Sequence, residues 1–238
     1  MRDGRRWRVL AGGLLPVVVA GLAGCSGGGG SSTVSGSVTG TAAATAGLFS
    51  AARLRGALLT RVNGVAAVTP VTVGEYGALS AASTGRPAAN AVQVSPSMCG
   101  GAAAAGLGSA ILAQAPAAAA TFRVGGNAVS EVLIASSAST ASAVLAGRVP
   151  AGCTKYQGKI AGKTVKYGLT VKAVTGIGWQ ARELNVRIGG SAPVNQWSLV
   201  YQGAGFVGTV TVIGPNASEA AVRELAQQAY AFAARSLA

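Results

Sequence analysis

The sequence predicts an α+β fold: an antiparallel β-meander sheet with helices packed over one face. Three patterns support this. Val- and Tyr-bearing runs separated by Gly-rich turns fill residues 154–213, a hairpin pattern covers 117–135, and an amphipathic stretch ends the chain. Short turns favour antiparallel neighbours. Half of the 238 residues are hydrophobic and 5% are aromatic, so Ala, Val and Leu must build the core.

The first 24 residues have the pattern of a secretory signal peptide. Residues 1–8 hold four arginines and one aspartate, and residues 9–21 are uncharged and mostly apolar. This apolar run is shorter than a membrane-spanning helix and is interrupted by Gly and Pro. A basic start followed by a short apolar run is typical of an exported protein. We therefore predict that residues 1–24 are removed.

Leu22-Ala23-Gly24-Cys25 resembles the lipobox of bacterial lipoproteins. The resemblance implies that Cys25 receives a diacylglyceryl thioether and becomes the mature N-terminus. The alternative is a chance cysteine after an ordinary signal peptide. Residues 25–45 are rich in Gly, Ser and Thr, which predicts a disordered tether. Residues 46–238 then form a single folded domain.

The folded part begins and ends with predicted helices. Apolar residues at helical spacing predict a helix over 46–63, which Asn63-Gly64 ends. A second, shorter helix follows the hairpin, over 136–147. The C-terminal helix takes Asn216 as its N-cap and Glu219 as the third residue of a capping box. Its apolar stripe is Val222, Leu225, Ala229 and Phe232.

Alternating side chains predict five strands between the second and third helices. Val165, Tyr167 and Leu169 point to one face, and the intervening lysine and threonine point to the other. The strands are placed at 154–160, 164–174, 179–188, 196–202 and 206–213. Residues 65–116 hold short Val-rich runs broken by Gly and Pro, and their pattern places no element.

With Cys25 lipidated, two cysteines remain. An exported protein is in a compartment that permits disulfides, so a Cys99–Cys153 bond is expected. Two free, buried thiols are the alternative. Two cysteines without any histidine do not make a metal site, so no metal is expected.

Composition argues against catalysis. The chain has no histidine, which excludes Ser-His-Asp triads, Cys-His pairs and His-ligated metals. Asp3, the single aspartate, lies in the predicted signal peptide. Glu131 stands in an apolar strand. Either it is buried with a raised pKa and marks a site, or it has a structural place, at a sheet edge or paired with Arg123 across the hairpin. We favour the second interpretation, and we favour the same for Glu183, beside Arg182 and Arg187. We expect no enzyme and no cofactor.

The chain is strongly basic, with a formal net charge of +13. Without residues 1–24, 15 Lys and Arg and 5 Glu remain, a net charge of +10. Five lysines cluster on two predicted strands: Lys155, Lys159, Lys163, Lys166 and Lys172. They either protect a sheet edge from aggregation or attract anionic lipid or wall polymer. No aromatic-basic pattern points to nucleic acid.

Several short patterns resemble those of a known family. They are Ala57-Leu58-Leu59-Thr60, Cys99-Gly100, Ser130-Glu131-Val132-Leu133, Val149–Cys153 and Gly208–Gly214. With them the chain resembles actinobacterial lipoproteins that are similar to the extracellular PknH-type sensor domain of membrane Ser/Thr kinases. The resemblance implies an α+β sandwich with a ligand-binding cleft. Such domains often carry two disulfides, whereas this chain can make one, and it has no kinase domain.

The sequence thus predicts a non-catalytic, membrane-anchored lipoprotein on the extracytoplasmic face of the cell membrane, which binds a ligand or acts as a sensor. Its partners would be the membrane, through the N-terminal lipid, and an anionic lipid, a wall polymer or an unknown protein. A lipid carrier of the cell envelope is the alternative. An envelope enzyme that uses a Glu–Lys or Ser–Lys constellation is the third hypothesis.

Overall fold

A long antiparallel sheet organises the chain in this computed structural model. The structure describes residues 49–68, 70–79, 93–100, 102, 107–160, 163–189 and 193–238. The predicted signal peptide (1–24), the lipidation site Cys25 and the tether (25–45) lie outside these residues. The strands are β1 (Arg61–Val62), β2 (Val65–Ala66), β3 (Thr72–Glu75), β4 (Gln93–Ser95), β5 (Pro116–Val124), β6 (Asn127–Ala135), β7 (Lys155–Ile160), β8 (Lys163–Val174), β9 (Ala181–Ile188), β10 (Val194–Gly203) and β11 (Phe206–Gly214).

Within the described residues, nine of these strands form one sheet in the order β3-β5-β6-β11-β10-β9-β8-β7-β4. Every pair is antiparallel. The five strands β7 to β11 follow one another as a meander, and the hairpin β5–β6 joins it at β11. This confirms the predicted α+β class, and the five predicted meander strands agree with the observed ones to within two residues.

The helices are α1 (Ala51–Gly56), α2 (Ala138–Ala146) and α3 (Glu219–Leu237). A serine caps each N-terminus: the Oγ atom of Ser50, Ser137 or Ser218 accepts a backbone N–H at 3.2 Å. Asn216 is therefore not the cap that the sequence predicts. Its side chain instead donates to the Gly125 carbonyl at 3.2 Å, tying the start of α3 to the β5–β6 turn. No helix in the described parts of the chain is long and apolar enough to cross a membrane.

The predicted helix over 46–63 is too long, because α1 ends at Gly56. Asn63 and Gly64 both adopt positive φ angles, 48° and 79°. They form the two-residue turn of the β1–β2 hairpin, in which Val62 pairs with Val65. Asn-Gly is a strong hairpin signal, and here it outweighs the helical spacing of the apolar residues before it.

The helices cover both faces of the sheet, and the prediction of a single covered face is wrong. The front face, which packs against α1 and α3, carries Val129 and Leu133 of β6. The back face carries Val132 and Ile134, which pack with α2 and the segments around both cysteines. Because β6 is apolar on both sides, each face needs a cover.

Helix cover on the front face is uneven. There α1 packs against β3, β5 and β6, and α3 packs against β10 and β11. In β7, and in β8 as far as Thr170, the front-face positions hold polar side chains or glycine, since Tyr156 and Tyr167 point to the back-face core. None of the described helices lies over this part of the front face, which we call the open end.

Candidate functional site

Three cations meet at the open end. Lys155 of β7 pairs with Gly168 of β8, which pairs in turn with Arg187 of β9. The three residues therefore form one row across three strands, with a glycine in the middle. Lys166 lies on the same face, one row away, because it precedes Gly168 by two residues. All three cationic side chains are exposed.

Gly168 leaves a gap between these side chains. A Cβ atom at this position would meet no other atom within 4 Å. In the neighbouring row, Gly189 also lacks a side chain, and its N–H donates to the Lys166 carbonyl at 2.7 Å. The result is a depression of about 530 Å³ whose lining includes Lys155, Lys166, Gly168, Arg187 and Gly189. We call it the Gly168 pocket.

The charge of the Gly168 pocket is not neutralised locally. The part of its lining that the structure describes contains three cations and no carboxylate. Glu183 lies on the same face of β9, two rows from Arg187, but its carboxylate is engaged by Arg223 at 2.7 Å. Uncompensated like charges around a concave surface focus a positive potential there. The pocket therefore suits an anion.

The structure separates the five lysines that the sequence groups together. Lys155 and Lys166 line the Gly168 pocket. Lys159 is on the front face but in an adjoining depression of about 450 Å³ beside β4. Lys163 alternates with the front-face residues and so belongs to the back face. Lys172 is ion-paired, with its Nζ atom 3.1 Å from Glu219 and 3.9 Å from Glu183.

Arg187 is the pocket residue that the sequence interpretation misses. It stands beside two rows of lysines only because β9 pairs with β8 in a register that places it opposite Gly168. The available signal is alternation: Glu183, Asn185 and Arg187 share a face, as Lys166, Gly168 and Thr170 do in β8. Alternation fixes the face within each strand, whereas the register between strands fixes the neighbours.

Two tyrosines support the pocket from behind. Tyr156 and Tyr167 pair directly across β7 and β8, with stacked rings whose centroids are 4.8 Å apart. Burial raises the pKa of both phenols, and Tyr167 adds to the effect at Tyr156. Aromatic cross-strand pairs stabilise antiparallel strands. The floor of the Gly168 pocket is thus held on a packed strand pair.

Glu131 is buried in the middle of the sheet, and the edge-strand interpretation is wrong. It pairs with Ala120 on β5 and Val210 on β11, and 1% of it is exposed. Arg123 cannot reach it across the hairpin, because Arg123 pairs with Ala128 and occupies the opposite face. The Leu59 N–H donates to Glu131 Oε2 at 2.9 Å.

The second oxygen of Glu131 has no hydrogen-bond partner among the described residues, and neither does the Tyr201 hydroxyl. Burial raises the pKa of Glu131 to about 8, although the Leu59 hydrogen bond opposes the shift. Burial and the charge of Glu131 raise the pKa of Tyr201 well above its usual value. Near neutral pH this carboxyl is mostly protonated, so it acts as a neutral buried group beneath α1.

Glu183 is also 1% exposed, but it is fully paired. Arg223 of α3 bridges Glu183 at 2.7 Å and Glu219 at 2.8 Å, and Lys172 completes the network. The arginine partner is thus Arg223, and neither Arg182 nor Arg187. Arg182 points to the back face, where it donates to the carbonyls of Leu145 and Gly147 at the end of α2, and burial lowers its pKa.

Cys99 and Cys153 lie at disulfide distance, with their Sγ atoms 2.05 Å apart and their Cα atoms 5.2 Å apart. Both are buried on the back face. Cys99 follows β4 and Cys153 precedes β7, which are paired strands at the edge of the sheet. A bond between them holds the edge of the open end together.

No protein-family model matches the chain, and no curated protein matches it either. Among solved structures, the chain is similar to the extracellular domain of PknH from Mycobacterium tuberculosis, at 14% identity and a TM-score of 0.41, over 61% of this chain and 77% of that one. It is also similar to an uncharacterized protein, the Rv0999 ortholog from Mycobacterium smegmatis, at 16% identity and a TM-score of 0.38, over 60% of this chain and 76% of that one. At these scores the likeness says nothing about a ligand. It agrees with the resemblance to a PknH-type extracellular domain that the sequence patterns predict.

Proposed function

We propose that this protein is a non-catalytic binding domain that is held at the extracytoplasmic face of the cell membrane by a lipid on Cys25. Its ligand is an anionic component of the cell envelope, bound at the open end of the front face. One observation carries the proposal: Lys155, Lys166 and Arg187 converge on a depression whose described lining has no carboxylate.

The distribution of the carboxylates supports a binding role over catalysis. Glu131 lies beneath α1, away from the open end, and Glu183 and Glu219 are occupied by ion pairs with Arg223. The Gly168 pocket offers cations and the amide of Gln157. An arginine stays protonated at any physiological pH, so it binds anions but does not serve as a general base.

The anchor is tested by mass spectrometry of the mature protein purified from membranes. We expect a diacylglyceryl group on Cys25 of the unchanged chain and none on the Cys25→Ala chain. An unmodified Cys25 inside a longer mature chain would contradict the anchor. Lipid that co-purifies with the Cys25→Ala chain in native mass spectrometry would favour the lipid carrier instead.

Binding is tested with the mature Cys25→Ala chain, residues 25–238, because it lacks both the lipid anchor and the basic, apolar residues 1–24, which would bind anionic vesicles on their own. It is sedimented with vesicles of phosphatidylglycerol or of phosphatidylcholine at low and high salt. We expect association with the anionic vesicles only, falling steeply between low and high salt, since salt screens exposed charges. Equal association with both vesicles, or an association that salt does not change, would contradict an anionic ligand.

A further inference from the structure

The arrangement of the cations at the open end is more specific than a basic surface requires. Adjacent strands lie about 4.8 Å apart, so the Cα atoms of Lys155 and Arg187 stand roughly 10 Å apart across Gly168. Both side chains are long enough to lean over the glycine from opposite sides. Lys166 adds a third cation from the neighbouring row. One small anion above Gly168 is within reach of all three.

The two glycines make room for such an anion. Gly168 lies between Lys155 and Arg187, with no atom in the space above it, and Gly189 lies beside Lys166 in the neighbouring row. Gly168 does not have a positive φ angle, so the strand conformation does not require glycine there. A side chain at this position would project between Lys155 and Arg187. Glycine at position 168 therefore keeps the space above the strand open, and the backbone conformation does not depend on it.

The three cations have no partner of their own. Among the described residues, the ion pairs involve Lys172 and Arg223, and none involves Lys155, Lys166 or Arg187. Three like charges within one depression repel one another. Because their side chains are exposed, side-chain packing does not require them to be close together. An anionic ligand removes this repulsion when it binds.

We propose that Lys155, Lys166 and Arg187, arranged around Gly168, form a discrete site for the phosphate group of a phospholipid headgroup. An arginine fork grips two phosphate oxygens, and the two ammonium groups reach the remaining oxygens as point charges. The choice of a lipid headgroup rests on the proposed function. The predicted tether, residues 25–45, would hold the domain beside the membrane surface.

The test uses substitutions in the mature Cys25→Ala chain, residues 25–238, with phosphatidylglycerol vesicles as the probe. Gly168→Val fills the pocket, keeps every charge, and suits a strand because its Cβ enters open space. Thr170→Val is the matched control on the same face of β8. We expect Gly168→Val to weaken vesicle binding about tenfold, as loss of one charge-assisted hydrogen bond does, and Thr170→Val to leave it unchanged.

Two lysine substitutions provide a second test in case the Gly168→Val chain does not fold. Lys166→Gln and Lys159→Gln each remove one exposed lysine from the front face, inside and outside the Gly168 pocket respectively. We expect about a tenfold loss for Lys166→Gln and a loss within about twofold for Lys159→Gln. Equal losses would overturn the site, as would normal binding by a folded Gly168→Val chain.

Two further measurements distinguish a free phosphate group from a lipid headgroup, and failure of the site from failure of the proposed function. If soluble glycerol 3-phosphate displaces the chain from vesicles, the site recognises the phosphate group itself. If it does not, while Gly168→Val still weakens binding, the site recognises a headgroup within a membrane. Both results support the site. If vesicle binding depends on salt but is unchanged in the Gly168→Val chain, the site is overturned and the proposed function stands. If the chain binds no anionic vesicle, both are overturned.

Discussion

The two ends of the front face differ in the ionisable groups that form no ion pair among the described residues: one end has an acidic group and the other has basic groups. Among the residues that the structure describes, Glu131 beneath α1 has no cationic partner, and Lys155, Lys166 and Arg187 at the open end have no carboxylate partner. Between these ends, Glu183 and Arg223 are paired. The difference follows from exposure to solvent: burial favours the neutral form of the acid, whereas the exposed cations are accessible to a ligand.

The largest expected effect concerns the covered end. The pKa of Glu131 is raised from 4.5 to about 8, so the folded state holds a proton that the unfolded state releases. The contribution of Glu131 to stability should therefore be greatest below pH 4.5 and should fall as the pH rises through about 8. At about 1.4 kcal/mol per pH unit, the full loss attributable to this group is at most about 5 kcal/mol. Denaturation curves between pH 4 and pH 9 measure it.

The variant Glu131→Gln should abolish most of this pH dependence, and above about pH 8 it should be more stable than the unchanged chain. Glu224→Gln is the matched control, because Glu224 is an exposed carboxylate on α3. It should leave the pH profile as it was. If the profile of Glu131→Gln matches that of the unchanged chain, then Glu131 is not a neutral buried group.

The second effect concerns the edge of the open end. Cys99 and Cys153 are separated by 54 residues, and a cross-link over such a length contributes about 4 kcal/mol through the entropy of the unfolded chain. The Cys99→Ser/Cys153→Ser chain should lose about this amount, and hydrogen exchange should increase first in β4 and β7. The native chain should contain no thiol at these positions that reacts without reductant. Two alkylatable thiols would show that the bond does not form.

The third effect lies at the boundary between the ends. Glu183→Gln removes the charged partner of Arg223 from a site that is 1% exposed. We expect a loss of about 2 kcal/mol at neutral pH, the range of a hydrogen bond to a charged group. Denaturation at pH 7 tests this. A neutral or stabilising Glu183→Gln would mean that the ion-pair network does not hold α3 on the sheet.

The smallest effect should have the opposite sign. Lys166→Gln removes one of three unpaired cations, so we expect it to raise stability by about 0.5 kcal/mol at low salt. Lys172→Gln is the control, since this lysine is paired with Glu219 and Glu183, and it should lower stability slightly. A loss for Lys166→Gln that equals the loss for Lys172→Gln would indicate that Lys166 already has a partner within the protein.

The sequence predicts elements whose signal is local. The strands β7 to β11 alternate clearly and are joined by short turns, so their limits could be placed to within two residues. At α1 two local signals competed, and the Asn63-Gly64 hairpin turn outweighed helical spacing. The prediction of Asn216 as the N-cap of α3 was wrong for the same reason, since two neighbouring residues can both cap a helix. Ser218, two residues later, is the cap that the structure shows.

The candidate site could be predicted only in part, because it depends on register. Lys155 and Lys166 stand out as basic residues in the sequence, but their convergence with Arg187 requires the pairing of three strands across Gly168. The prediction for Glu131 was wrong for the same reason. Its strand alone does not reveal that β5 and β11 flank it and that α1 covers it.

The most direct measurement of the central claim is a map of amide chemical shifts in the isotope-labelled, mature Cys25→Ala chain during titration with a soluble, short-chain phosphatidylglycerol, which carries the whole headgroup. A discrete site predicts saturable shifts concentrated at Lys166, Gly168, Arg187 and Gly189. Lys159 and Lys163, which are equally charged, should move little. Shifts of similar size at every exposed lysine, or shifts that never saturate, would contradict a phosphate site at the Gly168 pocket.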